Sequence, residues 1–539
     1  MATKIDKAIL TNMGALTAKY KAAGVGKIRK ALNALVAADK SKGLTTTIIA
    51  LDNAAAMRKL SAPRVTNSID PQQNKNAVDG VFKALAPDYL LLLGAIDVIP
   101  HQDLKNPIFD PNGEDTDEYA YGDLPYACEA PYSQNPQDFF GPTRVVGRLP
   151  DITGGKDPSY LLQLLGTAET YKTFPASQYL SCFGISAQIW QKSTSLSVTH
   201  VFGASATVET VPPKNAQWPP ADLAKIAHFI NCHGADKSQL FYGQPSSGAQ
   251  QYPTALDSTY LGGKVSEGTV AAAECCYGAE LYDPSKLGIP AAICNTYLAN
   301  KAYGFFGSTT IAYGPADSNG QADLICQYFL QSVLRGASLG RAALQARQSF
   351  VRAASPPDPS DIKTIAQFNL YGDPSITPVS TPTPVSEGAP GGGSAKTVAV
   401  AAAERVERED RRKSLFRAGV NLAVTEPRAR RTKTKLAKSI EAALRTRAKE
   451  LGMTAGTILS FDVIHPPAPT LAGPKTMRKT LTMPKAMRPP SPPDNRYHVV
   501  FGPKQENQTK ERGQVVAITA MIAREVDGEV VSVSKIHSR

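Results

Sequence analysis

Two short runs constrain this chain more than any other feature. Ile226 to Gly234, IAHFINCHG, and Gly268 to Glu280, GTVAAAECCYGAE, each pass through apolar and small residues and then stop at a reactive side chain. In the first that side chain is His233, followed by Gly234; in the second it is Cys275 or Cys276, with Gly278 close behind. A short apolar run without polar alternation, bounded by a turn, reads as a strand buried on both faces of a parallel sheet. Chemistry on open α/β sheets sits outside the carboxyl ends of such strands. The two runs therefore predict a His and a Cys facing one crevice, a thiol nucleophile with an imidazole partner. Singly, each has a blander reading: a buried His is usually a hydrogen-bonded core residue, and a Cys after small apolar residues an inert thiol. Their pairing, each at its own strand end, favours the chemical reading.

The rest of the chain supplies a sheet for these strands. Ile5 to Asp39 has apolar positions at helical spacing, interrupted at Gly24 and Gly26, which predicts two helices. Strands are predicted at Thr45–Leu51, Tyr89–Leu93, Thr143–Val146, Tyr179–Ile185 and Tyr303–Ser308. Helices are predicted at Ala77–Leu85, Tyr160–Tyr171, Ala322–Leu334 and Leu339–Ala353. Such alternation implies an α/β fold with a largely parallel sheet covered by helices on both faces. After Ser380 the composition changes. STPTPVSEGAPGGGS, Ser380 to Ser394, reads as a linker. Beyond it the chain predicts helices near Ala401–Arg417 and Leu436–Leu451, a proline-broken basic stretch at His465–Asp494 without fixed structure, and strands at Arg496–Phe501, Val515–Ala520 and Glu529–Val533. The expected division is 1–150 and 151–379 as two α/β subdomains, 380–395 as linker, and 396–539 as a small basic α+β module.

Charge follows the same division. Of 59 basic and 47 acidic residues, 28 and 14 fall from Lys396 onward, a net of +14; residues 1–395 hold 31 and 33, a net of −2. The positive field thus belongs to the C-terminal piece, where Arg428–Lys435 and Lys475–Arg488 point to an anionic partner, nucleic acid or acidic protein. The seven cysteines are scattered, without a CxxC pair, which argues for free thiols in a reducing compartment and against a structural zinc site. The Met1–Tyr20 stretch does not read as a secretory signal, and no run is long enough for a membrane span. The expected location is cytoplasmic.

From about Tyr89 to Ile376, an ordered set of motifs resembles the gingipain-type cysteine peptidases of the caspase-like clan. LLLGAIDVIP and TRVVGRLPD resemble the entry of that fold, and NCHG its strand-end His-Gly. AECCYGAE resembles its apolar run ending in Cys, and FFGSTTIAYGP the strand that walls the specificity pocket. SLGRAALQARQSF with NLYGDPSI resembles the last helix and its closing Gly-Asp-Pro. The resemblance implies a caspase-like three-layer sandwich with mostly parallel sheets in two subdomains. It also implies a cysteine endopeptidase that cleaves protein substrates through a Cys–His dyad and a thioester, with no metal or organic cofactor. It places His233 as acid–base and the Gly234 N–H in the oxyanion hole. The family spacing, with Gly three after the nucleophile, selects Cys275; a caspase-type QACxG spacing, with Gly two after, selects Cys276. On an alternating strand the two thiols point opposite ways, so only one faces the crevice. Tyr313 and Asp317 are expected to border the substrate pocket, and Asp236 and Glu274 to be solvated loop or edge charges. The chain departs from the family in lacking a signal peptide and in its basic tail. Its AQIWQKSTS loop also lacks the acid that reads a basic side chain in Arg-specific members, which leaves substrate preference open. Two other readings share these residues: a transpeptidase using the same dyad, and an inactive scaffold whose basic tail binds an anionic partner.

Overall fold

The structure is a computed structural model that describes residues 4–111, 113–248, 251–380, 393–466, 494–502 and 512–539, with side chains described outside 393–405. Its centre is one ten-stranded sheet. In spatial order the strands are Thr46–Ala50, Lys7–Thr11, Tyr89–Leu93, Val146–Leu149, Phe368–Tyr371, Gly304–Ser308, Val270–Ala273, Ala227–Asn231, Cys182–Ala187 and Val208–Val211. Each pair of neighbours is parallel except one, Gly304–Ser308 against Phe368–Tyr371. The sheet is therefore two parallel halves of five strands, joined antiparallel at that seam. The first half takes its strands from residues 7–149 and 368–371, the second from residues 182–308, so the expected boundary near 150 lies within a continuous sheet.

The apolar runs explain why these segments are strands. Tyr89–Leu93 and Val270–Ala273 are buried at every position. That follows from a sheet covered on both faces, whose inner strands read as near-continuous apolar runs. Each fully buried Leu of the YLLLL run contributes roughly 1.5–3 kcal/mol. The helices Met13–Ser41, Ser159–Thr170 and Ile293–Ala299 form one outer layer. Gln191–Phe202, Gln321–Leu334, Leu339–Ala353 and Pro359–Gln367 form the other. The three-layer α/β architecture is as expected.

Three local readings change. Lys7–Thr11, taken as helical, is a fully buried strand near the middle of the first half. Its KAILT sequence lacks a local strand signal, and two parallel neighbours impose the conformation. The predicted helix break lies at Lys21 (φ 58°, ψ 175°) and not at the glycines. Gly24 instead serves close packing: a Cβ there would sit 2.7 Å from Tyr20 Cβ. Phe368–Tyr371, read only as a closing motif, is the seam strand.

The C-terminal part forms a second, six-stranded antiparallel sheet in the order Tyr313–Gly314, Glu529–Ser538, Thr519–Val526, Asn495–Phe501, Ile458–Ile464, Arg428–Arg431. Its edge strand, Tyr313–Gly314, belongs to the body, so the module is not a freely tethered appendage. The helix ending at Thr425 brings Gly419 against the body so closely that a Cβ there would lie 2.2 Å from the Pro142 carbonyl. The Gln137 side-chain amide exchanges two hydrogen bonds with the Ala429 backbone. Within the basic run, Arg428 pairs with Asp138 at 2.7 Å and Arg431 donates to the Phe109 carbonyl, so both are engaged inside the molecule. Most of the predicted linker (381–392), most of the proline-broken stretch (467–493) and all of Lys475–Arg488 lie outside the described residues. Among the described residues no helix is long and apolar enough to cross a membrane.

Candidate active site

The strands Ala227–Asn231 and Val270–Ala273 are parallel neighbours in register, Ile230 opposite Ala273. Each chain leaves the sheet at its carboxyl end, so Cys232-His233-Gly234 and Glu274-Cys275-Cys276 emerge side by side. Their contact is close: a Cβ on Gly234 would lie 1.7 Å from the Cys276 carbonyl oxygen, a position only glycine tolerates.

His233 is buried. Its Nε2 is 2.7 Å from Gln244 Oε1, while its Nδ1 has no hydrogen-bond partner. Trp190 and Tyr252 pack against the ring at centroid distances of 4.4 and 5.1 Å. Burial, with the charge of Arg539 adding to it, holds the imidazole down to about 3, so it is neutral near neutral pH.

The two cysteines face different surroundings. Cys275 lies among buried groups under the sheet end, Cys232 and Cys326 included, and burial raises its thiol well above the usual range. Cys276 turns the other way. Its Sγ accepts from the Ala312 N–H at 3.3 Å, and burial pushes the thiol up to about 12. The backbone N–H of Cys276 and that of Gly234 converge on one oxygen, the Arg539 carbonyl oxygen, at 3.0 and 3.3 Å. Two N–H donors converging on one carbonyl oxygen are the arrangement that an oxyanion hole requires. The Gly278 spacing favours Cys275; this geometry favours Cys276, because the donor pair is made with the N–H of Cys276 and its thiol lies against Ala312, whose carbonyl accepts from Arg539.

Arg539, the last residue of the sequence, lies in the crevice fully buried. Its N–H donates to the Ala312 carbonyl at 3.0 Å, and the preceding strand pairs antiparallel with the body, Ser538 opposite Tyr313 and His537 opposite Gly314. The guanidinium donates to Asp323 at 2.9 and 3.2 Å and to the Pro315 carbonyl at 2.7 Å. It lies 4.5 Å from the Trp190 ring, and its Nε is 3.9 Å from Glu274. Burial raises both carboxyls, and the charge of Asp323 raises Glu274 further. Two buried acids and an indole face form a pocket for one planar cation.

A second layer holds the wall of this pocket. Asp117 accepts from the Ile311 N–H at 2.9 Å and from the Tyr277 hydroxyl at 2.7 Å. Asp115 accepts from the Tyr313 hydroxyl at 2.9 Å and from Lys363 at 2.5 Å. Lys363 and Asp115 are fully buried, so the loop Asp115–Asp117 is locked under the segment that bears Ala312 and Tyr313.

Sequence reading places His233, Gly234 and the cysteines together, and the structure brings them together. Tyr313 reaches the groove through its backbone only; its ring is turned inward to Asp115. Asp317 lies on the surface: its side chain is 82% exposed and 3.7 Å from Lys192. Glu274 is corrected from edge charge to fully buried pocket acid. Asp236 stays near the surface, paired with Lys237 at 2.9 Å. Asp323 went unread because an acid in the first turn of a helix is ordinary by sequence. Trp190 had a signal, one of only two Trp in the chain and set in a polar loop. Among the described residues no group of three or more His, Cys, Asp or Glu is placed to hold a metal.

The family model for Peptidase family C25 matches residues 16–379, about two thirds of the sequence. The chain belongs to peptidase family C25. This is the gingipain family, so the protein is a cysteine-type peptidase, a hydrolase of peptide bonds. The ten-stranded body lies within the matched span but for its Lys7–Thr11 strand, and the C-terminal sheet lies almost wholly beyond it. No curated protein matches this peptidase. Among solved structures, "Structure of Protease" is similar at 12% identity and a TM-score of 0.45, over 98% of both chains. The separase–securin complex of Saccharomyces cerevisiae is similar at 10% identity and a TM-score of 0.25, over 44% of this chain and 14% of that one.

Proposed function

We propose that the protein is a cysteine endopeptidase that cuts after a basic residue, arginine above all, with Cys276 as nucleophile and His233 as acid–base. The carrying observation is the convergence of the Gly234 and Cys276 N–H groups on one carbonyl oxygen whose own side chain fills the Asp323–Glu274–Trp190 pocket. A substrate strand would pair with Tyr313–Gly314, place its arginine in that pocket and present its carbonyl to the two donors. The Cys276 thiol would give its proton to His233 Nδ1, the buried imidazole nitrogen without a partner, and its sulfur would attack the carbonyl carbon. The oxyanion would be held by the two N–H groups, and His233 would protonate the leaving amine. Water, activated by the same imidazole, would then hydrolyse the thioester. Gln244, on Nε2, would fix the ring and its tautomer. With the groove filled, burial pushes the Cys276 thiol up to about 12 and holds the His233 imidazole down to about 3, so both are neutral.

The test is labelling with a peptidyl-arginine acyloxymethyl ketone, followed by mass-spectrometric mapping. The label is expected on Cys276 and is expected to be lost in Cys276→Ala. A label on Cys275 instead would overturn the assignment.

A further inference from the structure

The segment that fills the groove is part of the same chain and is tied down behind it. We infer that Glu529–Arg539 is an intramolecular occupant that holds this peptidase shut until it is displaced. The inference rests on the function proposed above.

Three independent contacts make the segment substrate-like. Its backbone adds to the Tyr313–Gly314 strand, as extended peptides add to a sheet edge. Its final carbonyl takes both donors of the oxyanion hole. Its guanidinium fills the acidic pocket, leaving Arg539 with no exposed surface. The segment is also anchored at its far end. Glu529–Ser538 pairs along its length with Thr519–Val526, which is central in a sheet whose other strands and helix pack on the body. Upstream, the Gly513 N–H donates to the Asp236 carbonyl, and the Gly513 carbonyl accepts from the Tyr242 hydroxyl, so a second stretch of the tail crosses beside the crevice. Tethering of this kind presents a ligand at an effective concentration of order millimolar. An arginine strand that would bind only weakly from solution then keeps the cleft filled.

The same placement makes Arg539 a cleavage position wherever further residues follow it. The Cys276 sulfur would bond to the Arg539 carbonyl carbon, the C–N bond to the next residue would break, and the amine would leave with the proton held by His233. Water would then add to the thioester, returning the thiol and leaving an Arg539 carboxylate in the hole. A strand with residues beyond arginine is a substrate; one ending in a carboxylate is a retained product. Either one blocks the site.

The experiment compares the full chain with Arg539→Glu, Arg539→Ala and Cys276→Ala. The readouts are hydrolysis of a fluorogenic arginyl peptide amide and the rate of Cys276 labelling by a peptidyl-arginine acyloxymethyl ketone. Both Arg539 variants are expected to gain at least about tenfold over the full chain in both readouts, since only the tethered competitor has been weakened. A synthetic VSVSKIHSR peptide added to Arg539→Glu is expected to inhibit competitively, and the same peptide ending in Glu is not. Equal rates for the full chain and both Arg539 variants would overturn the inhibition and leave the peptidase reading standing. Absence of hydrolysis and of Cys276 labelling in every protein would overturn both.

Discussion

The two sheets of this protein are built on opposite rules, and the site lies where they meet. The ten-stranded sheet is nearly all parallel and covered on both faces away from its edges, so inner strands such as Tyr89–Leu93 and Val270–Ala273 are apolar and fully buried, and the candidate chemistry sits where strands end. His233 and Cys276 are such endings. The six-stranded sheet is antiparallel, and its Glu529–Ser538 strand is largely exposed up to residue 535, then buried at Ile536 and Ser538 as it enters the groove. One sheet contributes a pocket with two buried acids, the other a strand with a cation at its tip. The net charges of −2 and +14 read from the two pieces are thus complementary at a single arginine. Most of the tail's basic residues play no part in that contact.

The sharpest way to break the comparison is at the paired thiols. Cys276→Ala is expected to remove hydrolysis, a loss on the order of 10³-fold or more, because the covalent route goes with the sulfur. Cys275→Ala, whose thiol packs beneath the sheet, is expected to stay within a few-fold of its parent when both are assayed in the Arg539→Glu background. The reverse ranking of kcat/KM would return the nucleophile to Cys275.

The body's acids should matter next. Asp323→Asn in the Arg539→Glu background is expected to raise KM for arginyl peptides by about 10²-fold, the scale of removing one partner of a buried charge pair, about 3 kcal/mol. Because burial raises both Asp323 and Glu274, they take up protons above the usual carboxylate range. The pocket therefore loses its negative charge as pH falls, and KM for arginine should rise in weak acid. A KM flat from pH 8 to 5 would count against the acids as the reader of the cation.

Lys363→Met tests the layer beneath. It leaves Asp115 and Asp117 buried without their cation and is expected to cost about 3–5 kcal/mol, read as a fall in the denaturant midpoint. A change under about 1 kcal/mol would mean that the loop is held by its other hydrogen bonds.

The smallest effect belongs to the tail's surface. Arg428→Ala, which removes a half-exposed pair with Asp138, is expected to cost under about 1 kcal/mol, and less in high salt. A larger loss would show that this edge, and not the Arg539 end, fastens the tail.

Much of the body could be read before its structure. Apolar runs such as YLLLL and VAAA are local signals, and His233-Gly234 and the cysteine pair fall where those runs stop. Register was harder. Cys275 and Cys276 differ by one residue, and a spacing rule cannot say which side of a strand end faces the crevice. Lys7–Thr11 carries no strand signal of its own, because its propensity is weak and its two parallel neighbours decide its form. Asp323 and Trp190 enter the pocket from separate helical segments far apart in sequence; Asp323 reads as an ordinary first-turn acid, and a rare Trp marks no partner by itself.

The sequence by itself determined the α/β alternation, the strand ends that carry His233 and the cysteine pair, and the uneven charge, because burial and periodicity are written residue by residue. Only the tertiary structure decided that the halves join antiparallel at Phe368–Tyr371, that the N–H groups of Cys276 and Gly234 meet at one oxygen, and that Arg539 is buried between Asp323, Glu274 and Trp190. Each of these depends on groups tens to hundreds of residues apart meeting within hydrogen-bond distance, and such meetings are set by packing, which no local pattern encodes.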